Sequence, residues 1–163
     1  MAAKIIQITE SSKQIQHMKH IFSEQKAAFR KNPMPSLQER TANLKKLRNM
    51  LMNNQERIIA AISKDFSNRS ADETKLAEIM TTVHSIDYNL KHLKSWMANV
   101  KKKISPLFQP ATGFVQYQPL GIIGIISPWN YTVALSLGPL VAALPAGHRA
   151  IIKRSEFTPT SSA

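Results

Sequence analysis

The stretch PLGIIGIISPWNYTVALSLGPLVAALPAGHRAIIKRSE, residues 119–156, decides the fold of this chain. Residues 122–126 form a continuous run rich in β-branched side chains, which is typical of a strand buried on both faces of a parallel sheet. The polar break at residues 127–130 interrupts this strand, and the apolar segment 133–146 predicts a helix. Residues 149–153 then predict a second short buried strand. Strand, helix and strand within about 33 residues define a βαβ unit.

The same stretch raises a membrane alternative, because the 45 residues between Lys103 and Arg149 carry no charge. A membrane-spanning helix needs about 20 unbroken apolar residues. The best candidate segment, from Val133, holds only fourteen residues and contains a serine, a glycine and two prolines. We therefore predict a buried α/β core and no membrane span.

The chain has 163 residues, enough for one domain with its own core. Its net charge of +12 is uneven, since residues 1–106 hold 19 Lys and Arg against 9 Asp and Glu. A lysine run at residues 101–103 lies where a helix is predicted to end, and cations there complement the helix dipole. No interleaved aromatic residue or base-reading motif accompanies it, so we expect no nucleic-acid partner. A basic nucleic-acid or membrane-surface binder stays open as an alternative.

The sequence excludes several chemistries by what it lacks. It has no cysteine, which removes disulfides, thiolate metal sites and a cysteine nucleophile. Its five histidines do not combine with carboxylates in a metal-ligand spacing, so no metal site is predicted. The N-terminal residues lack the apolar core and cleavage site of a secretory signal, and we expect a cytoplasmic protein.

The basic first part of the chain is predicted to be helical. Ser36 and Glu39 form the sequence pattern of a capping box, in which the serine hydroxyl and the glutamate each satisfy an unpaired N–H group. An apolar stripe follows this box, and the helix is predicted to end near Lys64. A further helix is predicted over residues 17–30.

A second capping box, Ser70 with Glu73, precedes a long predicted helix over about residues 71–98. Its apolar stripe keeps gaps of three and four throughout: Leu76, Ile79, Val83, Ile86, Leu90, Leu93 and Met97. Such a stripe packs against a neighbouring helix. A helical interaction or dimerisation module that pairs through this stripe is the alternative.

Three polar residues follow the two predicted strands of the βαβ unit. Ligands of open parallel sheets bind beyond the carboxyl ends of the strands. Asn130 comes just after the first strand, where its amide can stabilise an oxyanion, although an asparagine in a turn more often caps a helix. Lys153 and Glu156 come at and after the end of the second strand, where they can hold a ribose hydroxyl or a phosphate. The glycine fingerprint G-x-G-x-x-G is absent.

The motifs PLGIIGIISPWN, LGPLVAALPAG and IIKRSEFTPTSSA resemble the N-terminal half of the NAD(P)-dependent aldehyde dehydrogenase superfamily. DFSNRS, SPLFQP and YQPLGIIGIISPWNY are similar to its coniferyl-aldehyde dehydrogenase branch, and the resemblance runs from about residue 25 to the end. It implies an α/β fold in which a helical N-terminal part precedes an incomplete Rossmann-like βαβ unit. It also implies oxidation of an aldehyde to a carboxylic acid, with an NAD or NADP cofactor and NAD slightly favoured.

The resemblance implies roles for individual residues. Asn130 matches the asparagine that stabilises the oxyanion formed when a cysteine attacks the aldehyde. Lys153 and Glu156 match the residues that hold the adenosine ribose, and the glutamate charge would repel a 2′-phosphate. Four residues at the end of the first strand match contacts with the nicotinamide half of the cofactor: Ile126, Ser127, Pro128 and Trp129.

Three residues depart from the family pattern. Thr132 and Arg154 each stand where the family usually has proline, and Pro145 stands where it usually has alanine. Thr132 and Pro145 are expected to loosen the helix between the strands, because proline presets a helix start and removes a hydrogen bond inside a helix. Arg154 is expected to add a cation near the ribose site.

The resemblance implies three parts. Residues 1–103 form the helical part of the cofactor-binding domain, 104–118 an extended hairpin of the oligomerisation region, and 119–163 the first βαβ unit. Since family members run to several hundred residues, we expect a truncated chain that lacks the catalytic cysteine and glutamate. We therefore expect no turnover by this chain alone and weak cofactor binding. Exposed apolar surface is expected to make it self-associate or require the missing C-terminal part.

Overall fold

The computed structural model describes the backbone of residues 2–162 and the side chains of residues 12–162. Five α-helices come first: α1 (Ala2–Lys31), α2 (Leu37–Asn53), α3 (Gln55–Asp65), α4 (Ala71–Thr74) and α5 (Thr81–Trp96). They are followed by β1 (Val100–Lys102), β2 (Gly113–Val115), β3 (Ile122–Ile126), α6 (Thr132–Ala143), β4 (Arg149–Lys153) and α7 (Pro159–Ser162). The predicted order, a helical part and then a βαβ unit, is confirmed. The helix predicted over residues 17–30 is the second half of α1.

The helix predicted to end near Lys64 is two helices, α2 and α3. Its capping box is confirmed, because Ser36 Oγ accepts from the Glu39 N–H at 3.2 Å and the Ser36 N–H donates to the Glu39 carboxylate at 2.7 Å. Asn54 separates the two helices, with φ −115° and a side chain that donates to the carbonyl of Met50 at 2.7 Å. The break follows because an asparagine side chain competes with the backbone for helix hydrogen bonds.

The second predicted capping box is wrong. Ser70 begins α4 without a side-chain cap bond, because the Glu73 carboxylate accepts from Arg69 at 2.8 Å instead. The long helix itself is present, since α4, a π-helical segment (Lys75–Met80) and α5 follow one another without a gap.

The apolar stripe of this long helix is buried only in part. Ile86 and Leu93 pack in the main core, and Ile79 is also buried. Leu76 is 60% exposed, because the wider turns of the π-helical segment rotate it away from the core. The other members of the main core come from α2 and α6: Leu44, Leu47, Leu51 and Val141.

The predicted hairpin is an antiparallel ribbon of β1 and β2, with Lys101 opposite Phe114. Its first strand begins at Val100, upstream of the predicted span 104–118, and the connection contains a 3-10 turn over Pro106–Phe108. Lys101 therefore lies in an exposed strand, and the prediction that the lysine run ends a helix is wrong.

The two strands of the βαβ unit, β3 and β4, are parallel, as predicted. Their register runs from Ile122 opposite Arg149 to Ile126 opposite Lys153. Helix α6 connects them and packs its buried Val141 against α2 and α5, so the unit shares the core of the helical part. Among the described residues, no helix is both long and apolar enough to cross a bilayer.

Helix α6 ends at Ala143, earlier than predicted. The His148 N–H donates to the Ala143 carbonyl and the Gly147 N–H to the Leu144 carbonyl, both at 3.0 Å, which is the Schellman closing motif. Pro145 lies in the turn that this motif closes, and the expected loosening of the helix by this proline stays a prediction.

Candidate functional site

The carboxyl ends of β3 and β4 lie side by side, at the edge where parallel sheets bind ligands. Ile126 and Lys153 are paired across the strands, and the Ser127 N–H donates to the Lys153 carbonyl at 2.9 Å. Ile126 is 84% exposed at this edge. The structure thus brings these three predicted residues together.

Glu156 joins this group through Lys153, whose Nζ lies 2.5 Å from Glu156 Oε2. The hydrogen bond from Lys153 is the main cause that lowers the pKa of Glu156, and both side chains are largely exposed. A carboxylate that accepts and an ammonium that donates fit the neighbouring hydroxyls of a ribose. Arg154, in contrast, donates to the Ser161 carbonyl at 2.9 Å, which directs its guanidinium toward α7.

The Ser127 side chain faces the interior and not the sheet edge. It is buried, and its Oγ lies 3.0 Å from Ser136 Oγ of α6. Ser136 in turn donates to the carbonyl of Thr132. The Ser127 hydroxyl therefore links the strand end to α6 and does not face the sheet edge.

Asn130 is exposed just beyond β3, and its amide has no hydrogen-bond partner among the side chains and backbone of residues 12–162. The N-cap position of α6 belongs to Tyr131, whose φ of 49° and ψ of 56° are left-handed. The alternative that Asn130 caps the helix is therefore wrong. Its amide is open to a ligand at the sheet edge.

Side chains from the connection between α3 and α4 contact the turn on either side of Asn130. The ring of Trp129 stacks on Phe66, with centroids 6.2 Å apart. The guanidinium of Arg69 lies 4.4 Å from the Tyr131 ring and 5.2 Å from the Phe66 ring, within the range of cation–π contacts.

Sequence reasoning missed Glu78, which is fully buried beside this turn. Its Oε2 accepts from the N–H groups of Val133 at 2.7 Å and Ala134 at 3.3 Å, and its Oε1 accepts from Arg69 at 3.1 Å. The available signal was a charged residue directly before Ile79 on the apolar side of the helix. Within residues 12–162 no cluster of histidine and acidic side chains fits a metal ion.

A parallel strand pair joined by a helix, with polar residues at its carboxyl edge, defines an α/β protein of the Rossmann-like class. Comparison with known sequences then gives the family. Residues 2–163 match the model of the aldehyde dehydrogenase family, and the chain belongs to that family. The match begins well before residue 25, where the motifs become recognisable.

The coniferyl-type resemblance is seen in relatives that are themselves coniferyl aldehyde dehydrogenases. A probable coniferyl aldehyde dehydrogenase of Pseudomonas aeruginosa is 47% identical over 161 residues, which cover 99% of this chain and 34% of the relative. The coniferyl aldehyde dehydrogenase of Pseudomonas sp. strain HR199 is 41% identical over 128 residues, 78% of this chain and 26% of the relative. The chain thus spans about a third or less of these relatives.

Solved structures agree with the fold. Substrate-bound AldH of Staphylococcus aureus superposes with a TM-score of 0.83 at 30% identity, over 89% of this chain and 31% of that chain. A succinic semialdehyde dehydrogenase of Streptococcus pyogenes in complex with NADP+ superposes with a TM-score of 0.76 at 17% identity, over 90% of this chain and 31% of that chain. The second likeness shows the fold alone.

Proposed function

We propose that this chain contributes the first βαβ unit and the oxyanion donor to an NAD(P)-dependent aldehyde dehydrogenase of coniferyl-type aromatic aldehydes. The observation that carries the proposal is the 47% identity to a probable coniferyl aldehyde dehydrogenase over 99% of the chain. The unpartnered Asn130 amide at the carboxyl edge of the sheet supports it. The cytoplasm is the proposed location.

The proposed roles rest on the family resemblance, and the position of these residues at the sheet edge supports them. Asn130 donates to the oxygen of the aldehyde as negative charge develops on it. Lys153 and Glu156 hold the adenosine ribose, and the Glu156 carboxylate disfavours a 2′-phosphate, so NAD is favoured slightly over NADP. The turn residues Pro128 and Trp129, together with Ile126, form an apolar surface that contacts the nicotinamide half of the cofactor. The cofactor supplies the hydride acceptor.

The 163 residues contain no cysteine, so the nucleophile of the proposed reaction has to come from elsewhere. We expect the isolated chain to show no aldehyde-dependent reduction of NAD+ or NADP+ and only weak cofactor binding. The buried stripe residues Ile86 and Leu93 are used inside the fold, which disfavours a dimerisation module built on that stripe. The proposed hairpin role in oligomerisation concerns the ribbon of β1 and β2.

A chimera tests the proposal. The matching third of the Pseudomonas aeruginosa relative is replaced by this chain, and coniferaldehyde-dependent reduction of NAD+ is measured. We expect activity, and we expect Asn130→Ala to lower kcat by about 10²–10³-fold, the cost of one oxyanion donor. Asn53→Ala, at an exposed position of α2, is the matched control. An Asn130→Ala chimera with the kcat of the unsubstituted chimera would contradict the proposed role.

A further inference from the structure

Glu78 is a buried carboxylate that meets donors from two separate parts of the chain. Its partners are the Val133 and Ala134 N–H groups of α6 and the guanidinium of Arg69, at 2.7, 3.3 and 3.1 Å. Removing a charge from water is costly unless it is paired and hydrogen-bonded, so these bonds have to persist in the folded chain. Glu78 therefore fixes the start of α6 against the π-helical segment.

This arrangement occupies the N-terminus of α6 with a protein side chain. The first N–H groups of a helix lack intrahelical partners, and in many nucleotide-binding folds they bind phosphate. Here the second and third such groups, on Val133 and Ala134, already donate to Glu78. The start of α6 is thus used to hold the turn that precedes it.

The same network reaches both neighbours of Asn130. Arg69, which Glu78 binds, lies against the ring of Tyr131, whose left-handed backbone is costly for a residue with a Cβ and persists only where the surroundings enforce it. On the other side, Trp129 stacks on Phe66. Within residues 12–162 the Asn130 side chain makes no hydrogen bond, so its neighbours Trp129 and Tyr131 position it.

We propose that Glu78, acting through Arg69 and the first turn of α6, is a positioning residue that fixes Asn130 at the sheet edge. The significance for oxyanion stabilisation rests on the proposed function. The effect of Glu78 on the placement of the turn does not depend on the proposed function, and this effect can be measured on the chain alone.

The test compares Glu78→Gln with Glu73→Gln in the full chain. Glu73 also pairs with Arg69, at 2.8 Å, and accepts from the Tyr131 hydroxyl at 3.5 Å, but it is half-exposed and makes no bond to the N–H groups of α6. Glu73→Gln is a matched control, because its amide oxygen can still accept from the Tyr131 hydroxyl. Trp96→Phe in every variant leaves Trp129 as the single tryptophan. The readouts are amide hydrogen exchange at Val133 and Ala134 and quenching of Trp129 fluorescence by acrylamide.

Glu78 uses one oxygen for Arg69 and the other for the N–H groups of α6, and a glutamine amide has a single acceptor oxygen. We therefore expect Glu78→Gln to raise exchange at Val133 and Ala134 by up to about tenfold and to raise the Trp129 quenching constant. Glu73→Gln is expected to leave both unchanged. The proposal is overturned when both variants behave alike. It is also overturned when exchange at the core residues Ile86 and Leu93 rises as much, since Glu78 would then be a stabilising residue only.

Val133→Pro decides the case in which Glu78→Gln does not fold. Proline is tolerated in the first turn of a helix, and there it deletes one donor to Glu78 without a buried charge being changed. We expect faster exchange at Ala134 and a higher Trp129 quenching constant. Wild-type values for both would reject the proposal.

The chimera separates this inference from the proposed function. Glu78→Gln in the chimera is expected to lower kcat and leave KM unchanged, whereas Glu73→Gln leaves both unchanged. An equal kcat in the two variants would contradict positioning of Asn130. An inactive unsubstituted chimera would contradict the proposed function, and the exchange experiment would still decide the role of Glu78.

Discussion

Gly147 occupies a point at which the turn after α6 passes between Pro119 and Arg40. Its φ is +86°, and a Cβ there would lie 2.7 Å from Pro119 Cγ and 2.8 Å from Arg40 Cζ. Left-handed strain and overpacking both oppose a side chain. We predict that Gly147→Ala lowers the free energy of unfolding by about 2–4 kcal/mol, measured by urea denaturation.

Gly138→Ala is the control for this prediction. Gly138 lies within α6, and no atom lies within 4 Å of a Cβ built there. Alanine favours a helix more than glycine does, but its Cβ opposes the helical conformation of a residue that precedes a proline, here Pro139, so the control is expected to change the free energy of unfolding by less than about 1 kcal/mol. Equal destabilisation by both substitutions would show that the close approach at Gly147 is unimportant.

The protonation state of His148 makes the stability of the same turn depend on pH. Its Nδ1 accepts from the Leu120 N–H at 3.2 Å, which requires an unprotonated nitrogen. Burial, and then the charge of Arg40, lower the pKa of His148 below its ordinary value of 6.5. Protonation is therefore easier in the unfolded chain than in the folded one. The contribution of neutral His148 to the free energy of unfolding is complete above pH 6.5 and is lost as the pH falls below that value.

We predict that His148→Asn, whose side-chain oxygen can accept the same bond, flattens the loss of stability between neutral pH and about pH 5.5. Urea denaturation across that range measures it. His84→Asn, at an exposed site on α5, should keep the wild-type pH dependence. A wild-type slope in the His148 variant would refute the assignment.

At the scale of the element, the start of α6 contains a buried side-chain hydroxyl without a partner. Thr132 Oγ1 is buried and has no partner within the part of the chain whose side chains are described. Thr82 Oγ1 of α5, also buried, donates to the Glu78 carbonyl at 2.7 Å. An unpaired buried hydroxyl costs free energy, whereas a paired one contributes about 1 kcal/mol.

We predict that Thr132→Val raises the free energy of unfolding by about 1 kcal/mol and that Thr82→Val lowers it by a similar amount. Thermal and urea denaturation of the two matched variants measure the difference. Destabilisation by Thr132→Val would mean that its hydroxyl has a partner in solution.

Elements with a regular apolar pattern could be predicted from the sequence. The run at residues 122–126 and the apolar segment after it were enough to give two parallel strands and a connecting helix. The break at Asn54 was missed, because it depends on a side chain that competes for one carbonyl within an otherwise regular stripe. Leu76 was misplaced because a π-helical turn leaves no mark in apolar spacing.

In the candidate site, too, some residues could be predicted from local sequence and one could not. Asn130, Lys153 and Glu156 follow strand ends, and strand ends can be predicted from the chain itself. Glu78, in contrast, accepts hydrogen bonds from Val133 and Ala134, which follow it in the sequence by 55 and 56 positions. No local pattern contains such a contact, so only the folded chain reveals it.

At the scale of the whole molecule, the βαβ unit leaves apolar surface uncovered. Ile126 at the carboxyl edge of β3 is 84% exposed, and Leu120 just before β3 is 93% exposed. The parallel sheet contains two strands, β3 and β4, within the described chain, so both have an open edge. Open edges and exposed apolar side chains favour association between copies.

We predict that the isolated chain elutes from a size-exclusion column above its monomer mass of 18.3 kDa. Glu substitutions at Leu120 and Ile126 should shift it toward the monomer, because each copy would then place charges on the contact surface. Leu107→Glu, on the equally exposed connection of the β1–β2 ribbon, tests the proposed oligomerisation role of that ribbon, whereas Leu76→Glu, at an exposed site of the π-helical segment, should leave association unchanged. A monomeric unsubstituted chain would contradict self-association, and dissociation by Leu107→Glu alone would move the contact to the ribbon.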